Sequence, residues 1–169
     1  INLPFDQNWV VTGPPGTGKT ILALWKVKDL IDLDEEDVQF IVFNRVLKDY
    51  ARSAFKDAQS GLSLTNPQER DLVATYHETI YALWKQAELP GRPPREGKIH
   101  FDWSQMLAPF VEHQPRTAKH VIIDEGQDLP QPFYTFSRLT CDHITVFADP
   151  YQTIQSEIEH ATTESIQDS

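Results

Sequence analysis

Short apolar runs alternate along the chain with longer stretches in which apolar residues recur every three or four positions, the pattern of repeated strand–helix units. Five runs read as strands: Asn8–Thr12, Val38–Phe43, Leu72–Thr75, Val121–Asp124 and Ile144–Ala148. Several are apolar without strict alternation, as parallel strands covered on both faces are. Five segments read as helices: Lys19–Leu30, Val46–Gln59, Glu78–Gln86, Ser104–Phe110 and Gln131–Arg138, the first amphipathic through Leu22, Leu24, Trp25 and Leu30. Two regions interrupt the rhythm. Acidic Asp32–Asp37 reads as a solvated turn, and Leu89–Gly97, with three prolines and two glycines, reads as a loop. The pattern predicts an α/β domain with a mostly parallel β-sheet and helices on both faces.

Composition adds boundaries to this picture. A length of 169 residues with 40% hydrophobic positions fits one domain with a sizeable core. The single cysteine, Cys141, excludes an internal disulfide and a cysteine-cluster zinc site, and fits a reducing, cytoplasmic setting. No apolar run approaches the roughly 20 residues that cross a bilayer, so no membrane partner is expected. Ile1–Trp9 lacks the basic start and apolar stretch of a signal peptide. A formal charge of −10 argues against coating nucleic acid by bulk charge. The histidines show no ligand spacing, so no structural metal is expected, and Trp9, Trp25, Trp84 and Trp103 read as core.

The chemistry is concentrated in two segments. Gly13-Pro14-Pro15-Gly16-Thr17-Gly18-Lys19-Thr20 matches G-x-x-x-x-G-K-[ST] in full, between a predicted strand and a predicted helix. Such a loop wraps a phosphate with backbone N–H groups at a helix N-terminus. Lys19 would reach the β and γ phosphates of ATP, and the Thr20 hydroxyl would ligate Mg²⁺. The second segment, Val121-Ile122-Ile123-Asp124-Glu125, is an apolar strand ending in two carboxylates. There Asp124 would hold Mg²⁺, and Glu125 would orient and deprotonate the attacking water.

Asp124-Glu125-Gly126-Gln127-Asp128 resembles motif II, DExQD, of the UvrD/Rep type of superfamily 1 helicase. Ala148-Asp149-Pro150-Tyr151-Gln152-Thr153-Ile154 resembles motif III; Phe43-Asn44-Arg45 with Leu47 resembles motif Ia; Ala74-Thr75-Tyr76-His77 resembles motif Ib. With the phosphate loop as motif I, five motifs stand in family order. The resemblance implies that residues 1–154 form a RecA-like P-loop NTPase lobe, with 155–169 a polar acidic tail or a connection to a second RecA-like lobe. It also implies roles. Gln127 and Gln152 would sense the γ-phosphate, Asp128 would brace that network, and Asp149 would anchor motif III. Asn44, Arg45, Thr75, Tyr76 and His77 would touch single-stranded DNA, with RNA as the alternative.

The chain departs from the family at several positions. Gln155 stands where the family carries a base-stacking aromatic, with Tyr151 a displaced substitute; Ala148 replaces a glycine. Gln7 lies too near the loop to be the family's adenine-reading glutamine. The Upf-like branch favours DExxQ, and AAA+ modules place an asparagine sensor and a helical lid, neither of which matches this chain. Neither Arg116 nor Arg138 sits in a finger-like context, and both read as surface residues. Lys48, Arg52 and Lys56 recur at helical spacing, as a strand groove or a solvated face would. The expectation is a helicase or translocase lobe that is nearly inactive alone. The alternative is a P-loop ATPase switch that changes partners on binding ATP without translocating.

Overall fold

A computed structural model describes residues 3–35, 37–57, 59–64, 72–97 and 100–149. Along the chain these form β1 (Trp9–Thr12), α1 (Lys19–Asp32), β2 (Val38–Val42), α2 (Arg45–Lys56), β3 (Val73–Thr75) and α3 (Tyr76–Gln86). There follow β4 (Arg95–Glu96), β5 (His100–Phe101), α4 (Trp103–His113), β6 (Ala118–Ile123), a 3₁₀ turn (Gly126–Asp128), α5 (Gln131–Thr140) and β7 (Cys141–Ala148). Five strands pair in parallel in the order β1-β7-β6-β2-β3. The last strand among the described residues, β7, is thus inserted between β1 and β6.

Successive side chains in a strand point to opposite faces, and here both faces are apolar. Ile41, Val121, Ile123, Ile144, Val146 and Ala148 meet Ile80, Leu83 and Trp84 of α3, Met106 and Phe110 of α4, and Phe133, Tyr134 and Phe136 of α5. Their neighbours Val38, Phe40, Val42, Val73, Ile122 and Phe147 meet Ala23, Leu24, Val27 and Leu30 of α1, and Ala51 and Phe55 of α2. Two apolar layers therefore sandwich the sheet, as the pattern predicts. Among the described residues, no helix is long and apolar enough to cross a membrane.

Several details differ from the sequence reading. In α1, Trp25 is 41% exposed while Lys26 is 6% exposed. The Lys26 ammonium donates to the Leu3 carbonyl (2.8 Å) and lies over the Phe5 ring (3.9 Å), so an N-terminal crossing rather than helical period decides that face. β6 starts at Ala118 and β7 at Cys141, each three residues before its apolar run, because polar positions such as His120 and His143 pair at the sheet rim. The proline-rich loop ends in β4, which pairs antiparallel with β5. The predicted 155–169 tail lies outside the described residues.

Candidate active site

Register places the C-terminal ends of β1, β7 and β6 side by side, with Thr12 opposite Ala148 and Val146 opposite Ile123. Open parallel sheets bind ligands beyond these ends. The phosphate loop leaves β1 and enters α1 through Gly16 (φ 74°) and Gly18 (φ 83°), left-handed positions that favour glycine. Thr17 Oγ1 donates to the Pro14 carbonyl at 2.8 Å and braces the turn. The Lys19 ammonium donates to Gly13 O (2.8 Å) and Pro14 O (3.0 Å). Gly18, which precedes α1, supplies no side-chain cap, whereas Asn44, Thr75 and Asp102 cap α2, α3 and α4. The first-turn N–H groups of α1 are therefore left to an anion.

Asp124 follows β6, with its N–H donating to Ile41 O at 3.0 Å. Its side chain is 1% exposed, and burial pushes its pKa up to about 6. The Thr20 hydroxyl pulls in the opposite direction, the Glu125 charge adds to the rise, and the Glu125 amide and Lys19 oppose it. Neither carboxylate oxygen accepts a well-formed hydrogen bond. A buried carboxylate with unused lone pairs beside a hydroxyl fits Mg²⁺, which is held through one or two protein oxygens plus phosphate. Thr20 and Asp124 would hold the ion. Among the described residues no three acidic, histidine or cysteine groups cluster into a metal cage.

The remaining polar groups form a chain across the strand ends. Glu125 is left-handed (φ 54°) and opens the 3₁₀ turn. Gln127, 5% exposed, donates from Nε2 to Glu125 Oε2 (2.6 Å) and accepts from the Asp149 N–H (2.9 Å). Asp149 Oδ2 in turn lies 4.0 Å from Lys19 Nζ. Acidic turn, β7 terminus and phosphate loop are thereby joined in one circuit. Asp128 closes the turn through its N–H to Glu125 O (3.0 Å). Gln152 lies outside the described residues, as do Pro150, Tyr151 and the rest of that motif.

The residues matched to nucleic-acid contacts separate into two groups. Asn44 and Arg45 are exposed beyond β2, although Asn44 Oδ1 also accepts from Leu47 N (3.0 Å) as the α2 cap. Thr75 is buried and caps α3 in a reciprocal box with Glu78. Tyr76 is also buried, packed against Phe43, His77, Phe101 and Phe133, and burial pushes its pKa up to about 12. For both, the task the fold shows is structural: a cap needs the hydroxyl, and a strand-end aromatic fills core. His77 is half-buried against Tyr76. Lys48 pairs with Glu78, while Arg116 pairs with Asp142 (2.8 Å).

Two residues that matter to the turn escape the motif reading. Gly126 has no room for a side chain: an added Cβ would lie 2.5 Å from Val146 Cγ1 and 2.8 Å from the Tyr134 hydroxyl. That hydroxyl, on α5, donates to the Gly126 carbonyl. A glycine between two chemistry-bearing residues is a usable signal of close approach, but nothing in the pattern points to Tyr134 as its partner. A family model described as an AAA domain matches residues 5–157. No curated protein matches the chain.

Proposed function

The chain belongs to the AAA domain family, an ATP-binding P-loop class, and from that premise we propose that it is the first RecA-like lobe of a UvrD/Rep-like superfamily 1 helicase. Such a lobe hydrolyses ATP with Mg²⁺ to move along single-stranded DNA or RNA, and a second RecA-like lobe completes its site. The observation that carries this reading is the circuit Glu125–Gln127–Asp149–Lys19, which ties the acidic turn to the phosphate loop. DEGQD and ADPYQTI favour the UvrD/Rep branch over other P-loop classes.

Each residue then has a task. The loop N–H groups and Lys19 would hold the β and γ phosphates, while Thr20 and Asp124 would hold Mg²⁺, which would neutralise phosphate charge. Glu125 orients the attacking water and takes its proton as the bond between the γ-phosphorus and the leaving oxygen of ADP breaks. Gln127 couples the place of Glu125 to the end of β7, the strand that leads into Gln152. Asn44, Arg45 and His77 supply the strand contacts, and cleft closure moves them.

The test is ATP turnover by wild type, Lys19→Ala and Glu125→Gln, with and without single-stranded DNA. Turnover should rise with DNA and vanish in both variants, while Glu125→Gln keeps its nucleotide binding. No stimulation by DNA or RNA would remove the motor reading. Rapid turnover or duplex unwinding by the 169-residue chain alone would remove the need for a second lobe. A second reading, a P-loop switch that exchanges partners on binding ATP, is favoured by the burial of Thr75 and Tyr76. It requires partner exchange driven by ATP binding, with Glu125→Gln locked in one state.

A further inference from the structure

Glu125 occupies a backbone region that non-glycine residues avoid, so its neighbours must hold it there. Gln127 bonds its carboxylate and is itself tied to the end of β7 through the Asp149 N–H, a hold on the side chain. A second outside hold, on the backbone of the turn, comes from α5. Tyr134 is 1% exposed, Gly126 is buried, and the tyrosine hydroxyl donates to the Gly126 carbonyl. The absent side chain at Gly126 lets α5 and β7 close on this peptide from two directions, through Tyr134 and Val146. Burial pushes the phenol pKa far above its ordinary value, and the charge of Asp128 adds to the rise, so the hydroxyl is a neutral donor at working pH. Tyr134 also forms one wall of a cavity of about 300 Å³, shared with Trp9, Val10, Arg138, Ile144 and Val146. With space on that side of the ring, the hydrogen bond has work to do that close packing does not.

From this we propose that Tyr134 is a positioning residue for the hydrolytic step: by gripping Gly126 O it fixes the turn against β7 and so sets the place of the Glu125 carboxylate. The inference rests on the reading of Glu125 as the base for water. Because the grip acts on backbone, it leaves the phosphate loop alone, and nucleotide affinity should not depend on it.

The experiment compares wild type, Tyr134→Phe, Glu125→Gln and the double variant, each with the second RecA-like lobe present, in single-turnover ATP hydrolysis, with Mg²⁺ and saturating single-stranded DNA. Affinity for Mg·ATP and the urea midpoint are measured on the same proteins. Tyr134→Phe should slow hydrolysis about ten- to a hundredfold, the effect of a small misplacement of a reacting group, at unchanged affinity. The double variant should be no slower than Glu125→Gln alone, because the hydroxyl acts through Glu125. An unchanged rate in Tyr134→Phe, losses that multiply in the double variant, or a loss that tracks the unfolded fraction would overturn the inference. Equal rates in wild type and Glu125→Gln, including no turnover in either, would overturn the general-base reading and this inference with it. A silent Tyr134→Phe beside an inactive Glu125→Gln would remove the inference alone.

Discussion

Asp124→Asn is expected to stabilise the protein while removing its Mg²⁺-dependent chemistry. The wild-type carboxyl is 1% exposed, and burial lifts its pKa from 3.8 to about 6 against the pull of the Thr20 hydroxyl. Below the unfolded value of 3.8 the group is neutral in both states and contributes nothing to the pH dependence. As pH rises from there to about 6, the unfolded chain ionises while the folded one keeps its proton. Folding is therefore penalised progressively. Above about 6 both states are ionised and the penalty is complete. The gap between the two values corresponds to about 3 kcal/mol. Asparagine never ionises and escapes it. Burying the amide carries its own cost of about 1–3 kcal/mol, but that cost is the same at every pH. The readout is thus the difference in urea-unfolding free energy, variant minus wild type, in EDTA without nucleotide. It should climb by about 3 kcal/mol between about pH 3 and about pH 7. A flat or falling difference would refute the burial argument. With Mg²⁺ and ATP added, wild type should gain ligand stabilisation of RT ln(1 + [L]/Kd) that the variant lacks.

Gly126→Ala puts a Cβ 2.5 Å from Val146 Cγ1 and should cost about 1–3 kcal/mol by overpacking. Urea unfolding checks it, and an unchanged midpoint would mean that the turn has slack. Thr75→Ala removes the α3 cap and should cost about 1 kcal/mol without altering single-stranded DNA affinity; lost affinity at unchanged stability would return Thr75 to the strand path. Arg45→Ala should weaken single-stranded DNA binding and reduce the slope of log affinity against log salt by about 0.7. An unchanged slope would take Arg45 off that path.

What the sequence reveals follows from how locally each feature is determined. The phosphate loop and DEGQD are each contiguous, because the chemistry needs several groups on one turn; that Asp124 sits beside Thr20 and Lys19 is a meeting across the fold. The parallel sheet is legible because strands buried on both faces lack alternation. Strand order is not: residues facing two layers carry no record of which strand lies beside them, so the insertion of β7 between β1 and β6 appears only in three dimensions. Thr75 and Tyr76 are ambiguous for a different reason. A polar residue followed by an aromatic at a strand end is equally a ligand contact or a helix cap with a core ring, and only the fold reveals the cap and the core ring. Trp25 and Lys26 show that helical period sets a stripe but not which neighbour the chain terminus will cover. The Tyr134–Gly126 contact pairs residues from separate elements, and only its glycine leaves a trace in the sequence.

Charge at the site bears on the proposal that a second lobe completes it. Three carboxylates, Asp124, Glu125 and Asp149, converge on a phosphate loop whose near cation is Lys19, itself bonded to two loop carbonyls. If that lysine dominated the local potential, Asp124 would titrate below its ordinary value. Burial instead holds it up near 6, with the pull of Lys19 the smallest influence on it. A triphosphate brought here meets a positive helix end and one ammonium, set against the acids that hydrolysis requires. On the proposed reading, Mg²⁺ held by Thr20 and Asp124 would offset part of this imbalance, and cations of a second lobe would offset the rest. Affinity for nucleotide should therefore depend steeply on Mg²⁺, and turnover on the second lobe. Weak binding of ATP by the single lobe is the expected result, and nucleotide titration with and without Mg²⁺ checks it.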